Sequence, residues 1–162
     1  MRDTGLMELR RILRREDLPG IEKMLRDVQV FNEDEIICGV ELAQQTLAGE
    51  EGYHWVLAVE DGALVGLICY GTVPLTQGTW DLYWILRSPG AVSRGVAKAL
   101  LEACEEDLRN HGGRLLVLNT SGTPAYQPAR DFYLRNGFEL SARLKEYYRP
   151  GDDLCIFTKQ IE

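Results

Sequence analysis

Residues 93–98 read Ser-Arg-Gly-Val-Ala-Lys, with Arg94 and Lys98 on either side of Gly95, Val96 and Ala97. They open the periodic run SRGVAKALLEACEEDL, whose spacing predicts a helix from about Ser93 to Asn110, closed by His111-Gly112-Gly113. The first amides of a helix have no carbonyl partner behind them and stand at the positive end of the helix dipole. Such amides bind anions, phosphate above all. Gly95 and Ala97 keep bulky side chains away from that backbone, and Arg94 and Lys98 can add charge-assisted hydrogen bonds. Arg94, Gly95, Val96, Ala97 and Lys98 are therefore candidate phosphate-binding residues. A helix that simply packs tightly on a sheet would also carry small residues there. The dinucleotide fingerprint GxGxxG and the P-loop GxxxxGK[ST] are both absent.

The rest of the chain supplies the frame that would position this turn. LMELRRIL (6–13) is expected as a first strand, and Asp17 as the N-cap of a helix over about 18–29 that tolerates Pro19 in its first turn. Asn32 should cap a second helix, with Ile36, Ile37, Val40, Leu42 and Leu47 as its apolar stripe. YHWVLAVE and ALVGLICYG flank Asp61-Gly62, a strong hairpin signal, and GTWDLYWILR (78–87) completes an antiparallel meander. RLLVLNT (114–120) reads as a strand buried on both faces. A short helix, ARDFYLRNG, and two strands joined at Pro150-Gly151-Asp152 end the chain. The order β-α-α-β-β-β-α-β-α-β-β predicts a single α/β domain over residues 1–162, with a mixed, mostly antiparallel central sheet flanked by helices.

Composition excludes several classes. The chain of 162 residues is 45% hydrophobic, as expected for a globular protein, and has no run long enough to span a membrane. A net charge of -7 leaves no basic field for nucleic acid and suits a cationic substrate. Cys38, Cys69, Cys104 and Cys155 lie in apolar segments without metal-ligand spacing and are expected as reduced core thiols. His54 and His111 are far apart, so no metal is expected. The segment MRDTGLMELRRILRRED lacks the apolar stretch of a signal peptide, which makes the cytoplasm the expected location.

The ordered stretches DLYWILRSPGAVSRGVAKALLEAC, RLLVLNTSG and ARDFYLRNGFEL resemble the GNAT superfamily of acyl-CoA N-acyltransferases. The resemblance covers about residues 7–160. The superfamily's pyrophosphate motif, Gln/Arg-x-x-Gly-x-Gly/Ala, falls on Val92-Ser93-Arg94-Gly95-Val96-Ala97, and its second signature on FYLRNGF (132–138). Two positions depart from the pattern. Val92 stands where Gln or Arg is usual, and Tyr126 where many members have Asn.

The resemblance implies acetyl transfer from acetyl-CoA to the primary amine of a small molecule, by direct attack in a ternary complex. An alkyl amine with a pKa of about 10.4 must lose a proton before attack, and the thioester carbonyl needs an N–H donor as it gains charge. By the same resemblance Asp81 is the candidate base and Tyr133 the acid for the leaving thiolate. Leu86 and Ser88 are candidate main-chain contacts to the pantetheine arm, and an amide of Ile85 or Leu86 is the oxyanion donor. Asn119 and Thr120, at the end of a strand, are further cofactor candidates. Phe132 and Phe138 read as structural.

Tyr83 shares a strand face with Asp81 and is a candidate for the acceptor site. Phe31, Glu33, Tyr70, Trp80, Trp84 and Tyr126 extend the acceptor set, a lining suited to a cation. Two other readings stand beside this one: a non-catalytic acyl-CoA-binding or sensor domain, and an acetyltransferase of protein N-termini or lysines. Homodimers are common among similar proteins.

Overall fold

The structure, a computed structural model, describes residues 7–162. Leu6, expected to begin the first strand, lies outside the described residues, as do the other first five positions of the expected domain. The elements are β1 (Glu8–Arg10), α1 (Leu18–Asp27), α2 (Glu33–Leu47), β2 (His54–Glu60), β3 (Ala63–Thr72), β4 (Thr79–Arg87), α3 (Val96–Asn110), β5 (Leu115–Ser121), α4 (Gln127–Arg135), β6 (Glu139–Arg149) and β7 (Asp152–Gln160). Single 3-10 turns precede α1 and α4. The strand order is β1-β2-β3-β4-β5-β7-β6. The β1-β2, β2-β3, β5-β7 and β6-β7 pairs are antiparallel, whereas β4-β5 is parallel. This is the mixed, mostly antiparallel sheet expected.

The chain divides into two compact units. The first runs to Tyr70 and takes in Trp84–Cys104; the second comprises Gly71–Tyr83 and Glu105–Glu162.

In the first unit, Asp61 and Gly62 both take positive φ, +50° and +78°, the geometry a two-residue hairpin turn needs. Asn32 caps α2 as expected. Its Oδ1 accepts the Glu35 amide at 2.8 Å, and the Glu35 carboxylate accepts the Asn32 amide at 3.3 Å. Asp17 makes no side-chain cap to α1. It accepts both guanidinium nitrogens of Arg10, at 2.8 and 2.7 Å, and the Arg14 amide at 2.7 Å. A nearby arginine fork outcompetes the helix amides for its oxygens.

The core of this unit gathers Ile21, Met24, Leu25, Ile36, Ala43, Trp55, Leu57, Leu67, Cys69 and Leu86. Ile37 is 46% exposed and Cys38 is exposed, against the expected stripe and the expected core thiol. One and two residues past Ile36, they are carried round the helix away from the core by about 100° per residue. The other three cysteines are buried, and none of the four is in a disulfide.

In the second unit, β5 alternates: Leu116, Leu118 and Thr120 are buried, whereas Asn119 is exposed. The expectation of burial on both faces therefore fails at its end. Lys159 of β7 forms an ion pair with buried Glu105 of α3 and donates to the Asn136 carbonyl at 2.7 Å, tying β7 to α3 and to the end of α4. Every residue of β6 is exposed. Among the described residues, no helix is long and apolar enough to cross a membrane.

Candidate active site

In the first unit the chain leaves β4 through a loop held at nearly every residue. Ser88 donates its amide to the Val65 carbonyl at 2.8 Å. Its hydroxyl accepts the Gly90 amide at 3.2 Å, and its carbonyl accepts the Ala91 amide at 3.1 Å. Arg87 Nη2 donates to the Ala91 carbonyl at 3.0 Å. The Val92 and Ser93 amides then donate to the two oxygens of the Glu60 carboxylate, at 2.9 and 2.8 Å.

Helix α3 begins only at Val96, three residues later than the sequence suggests. Gly95 adopts φ +71°, a left-handed conformation that side chains resist, and its carbonyl accepts the first helical amide, from Ala99, at 2.9 Å. A Cβ placed on Gly95 would meet nothing within 4 Å, so the turn is open above it. The amides of Val96, Ala97 and Lys98 are the first of the helix and have no intrahelical acceptor. Arg94 and Lys98 are exposed, Ala97 is half-buried, and the Val96 side chain is fully buried.

The same unit places Leu86 in the core, 7% exposed. Both main-chain groups of Ser88 are engaged, the amide with Val65 and the carbonyl with Ala91, so a cofactor could use only the second lone pair of that carbonyl. Phe31 packs edge-on against Trp84, with centroids 5.1 Å apart. Gly39 permits this packing, since a Cβ there would stand 3.3 Å from the Trp84 ring and 2.9 Å from Leu25. Tyr70, expected near the acceptor, is completely buried and stacks on His54. Glu33 is engaged by the Arg26 fork at 2.8 and 2.9 Å, which holds its carboxyl below the usual range.

In the second unit, Asp81 stands opposite Val117 where β4 pairs with β5. Burial pushes its carboxyl above the usual range, toward the behaviour of a base. Tyr83, two residues on and 39% exposed, shares its face. Trp80 is 4% exposed and belongs to the core. Tyr133 of α4 is 8% exposed among Phe132, Phe138 and Phe157, with ring centroids 5.6 to 5.8 Å away. That apolar cage pushes its phenol up to about 12. Asn119 and Thr120 pair with Ile156 and Cys155 of β7, the first exposed and the second buried.

Tyr126 ends the 3-10 turn before α4 and is half-buried. Arg130 fixes the approach to α4 by donating to the Ser121 and Thr123 carbonyls at 2.7 and 2.8 Å. Among the described residues, no group of His, Cys, Asp or Glu is arranged to hold a metal ion.

Sequence reasoning missed Glu60. Its only local signal is its place beside a hairpin turn, and nothing in that signal connects it to residues 92 and 93.

A strand that runs through a tied loop into an open helix N-terminus, on a seven-stranded mixed sheet with four helices among the described residues, is the layout of acyl-CoA-dependent N-acetyltransferases. The chain belongs to the acetyltransferase (GNAT) family, whose profile matches residues 10–138. It is 38% identical to a GNAT-family protein of known structure from Desulfovibrio desulfuricans, covering 97% of this chain and 100% of that one, with a TM-score of 0.92. Two more distant structures show the same fold. One is PaiA N-acetyltransferase from Thermoplasma acidophilum in complex with coenzyme A (18% identity, 96% and 99% of the two chains, TM-score 0.71). The other is aminoglycoside 6'-N-acetyltransferase from Enterococcus faecium (16% identity, 97% of each chain, TM-score 0.74). No curated protein sequence matches the chain.

Proposed function

We propose that this chain, acting as one GNAT domain, transfers an acetyl group from acetyl-CoA to the primary amine of a small molecule in the cytoplasm. The observation that carries the reading is the turn at Gly95. The loop before it is tied down, the space above it is open, and the first residues of α3 are flanked in the sequence by Arg94 and Lys98, both exposed. A diphosphate fits that set of donors. Arg94, Gly95, Val96, Ala97 and Lys98 would hold it, with Leu86, Ser88, Asn119 and Thr120 meeting the rest of the cofactor. Val92, 81% exposed and apolar, offers no side-chain contact to phosphate.

In the reaction the amine nitrogen attacks the thioester carbonyl carbon, the C–N bond forms, and the C–S bond then breaks to release the CoA thiolate. Asp81 takes the amine proton, directly or through water. Tyr133 was expected to protonate the leaving sulfur. At about 12 its phenol is a weaker acid than a thiol of about 8.5, so full transfer is uphill. It serves better as a hydrogen-bond donor to the departing thiolate, which takes its proton from solvent. Phe31, Tyr83 and Tyr126 are assigned to the acceptor, and the relative that acts on an aminoglycoside offers a precedent for a cationic amine. If a second copy pairs with this one, the exposed edge strand β6 is the surface that would take it.

The test is acetyl-CoA turnover against a panel of small amines, N-terminal peptides and lysine peptides, read by thiol release. Faster turnover with small amines is expected. Preference for peptides would reassign the acceptor, and CoA binding without turnover on any amine would point to a binding domain.

A further inference from the structure

Glu60 ends β2 one residue before the Asp61-Gly62 turn, and it is only 7% exposed. Its two oxygens accept the Val92 and Ser93 amides at 2.9 and 2.8 Å. An anionic group thus already occupies the two amides that precede the turn read above as the diphosphate site. A buried carboxylate left unpaired there would repel phosphate and be costly to desolvate. Paired with two consecutive N–H groups, it has its charge partly compensated and removes those amides from competition for the ligand.

We propose that Glu60 is a positioning residue for the diphosphate. It fixes the 92–93 peptides, so that the amides from Arg94 onward, and not those before, face the phosphates. The inference rests on the assignment of residues 94–98 to the diphosphate.

The surrounding bonds show why this carboxylate matters. Arg87 and Ser88 hold the loop as far as Ala91, and the helix takes over at Gly95. Between those points Glu60 supplies two bonds to the backbone, where the apolar Val92 side chain can supply none. Hydrogen bonds from Ser93 and Val92 hold the carboxyl below its usual range, so the clamp is ionised and complete at neutral pH.

The experiment compares wild type, Glu60→Gln and Glu60→Ala by calorimetry with coenzyme A and with pantetheine, which lacks the diphosphate. Acetyl-CoA kinetics and thermal melts accompany it. The Gln oxygen can accept one amide, but its NH2 faces the other donor. Glu60→Gln should weaken coenzyme A about tenfold and raise KM for acetyl-CoA to match, with kcat within about twofold and pantetheine binding unchanged. Glu60→Ala should lose more. Unchanged coenzyme A affinity in both variants would overturn the proposal. Equal losses for coenzyme A and pantetheine would also overturn it, because they would mark general damage to the fold. If wild type itself bound coenzyme A no better than pantetheine, the diphosphate assignment would fail first and Glu60's role would fall with it.

Discussion

A Cβ added to Gly66 would stand 2.6 Å from Cγ1 of Val96, the first residue of α3, and 3.1 Å from the Leu86 carbonyl oxygen. Glycine in the middle of β3 is what lets the start of the helix settle onto the strand. Val96 is short and branched, and it is fully buried, so it cannot swing aside. Gly66→Ala should therefore lift the beginning of α3 and disturb its amides. A loss of about 1–3 kcal/mol is expected from overpacking, or roughly 2–4 °C in Tm for each kcal/mol. KM for acetyl-CoA should rise alongside it. A melt and a KM both equal to wild type would show that the helix seat tolerates a methyl group.

Gly95 separates a conformational role from a steric one. At φ +71° an alanine is strained by about 1 kcal/mol, although the space around it is empty. Gly95→Ala should lower Tm slightly and leave coenzyme A binding within a few-fold of wild type. Gly95→Glu adds both bulk and like charge over the amides, and should abolish measurable binding by calorimetry. Retained affinity in the glutamate variant would remove the phosphate from this turn.

Tyr133→Phe removes one hydrogen bond to a developing anion, worth about 1.5–3 kcal/mol. Turnover should fall by roughly 10- to 100-fold, with coenzyme A affinity unchanged. With its phenol near 12, Tyr133 stays protonated up to about pH 11, so it should contribute no alkaline fall in kcat below that pH. The sign for stability follows from the raised value. Above the unfolded pKa of about 10, the unfolded chain gives up the proton first. Wild type should therefore lose stability as pH rises from 10 toward 12, a loss absent in Tyr133→Phe. Equal alkaline melts for the two proteins would contradict the burial of the phenol.

Asp81→Asn should lower kcat/KM by about 100-fold near neutral pH if the carboxylate takes the amine proton. Wild-type kcat/KM should rise with pH through the Asp81 pKa, with a midpoint above the ordinary carboxylate range because burial disfavours the charged form. The variant should lose that acidic limb. An unchanged limb would assign the proton to another group.

The elements legible in the sequence are those settled over a few residues. Asn32 and Glu35 cap each other across three positions, Asp61-Gly62 makes its turn alone, and the left-handed Gly112 follows α3 where the sequence ends that helix. The turn proposed to hold the diphosphate was legible for the same reason: small residues, two cations and a helix start fall within six positions. Even there the left-handed Gly95 hid the true beginning of α3, because helical periodicity does not register a single left-handed residue.

What the sequence by itself determined, then, was the order of elements, the family and the small-residue turn that opens α3. Tertiary structure alone decided what holds that turn in place. Glu60 meets Val92 and Ser93 from 32 and 33 residues away, and Gly66 receives Val96 across a strand-helix contact. It also decided which aromatics are core: Tyr70 and Tyr133 are buried, whereas Tyr83 is not. The physical reason is common to these cases. Capping and turn formation depend on neighbours along the chain, whereas burial, clamping and close approach depend on residues that only folding brings together.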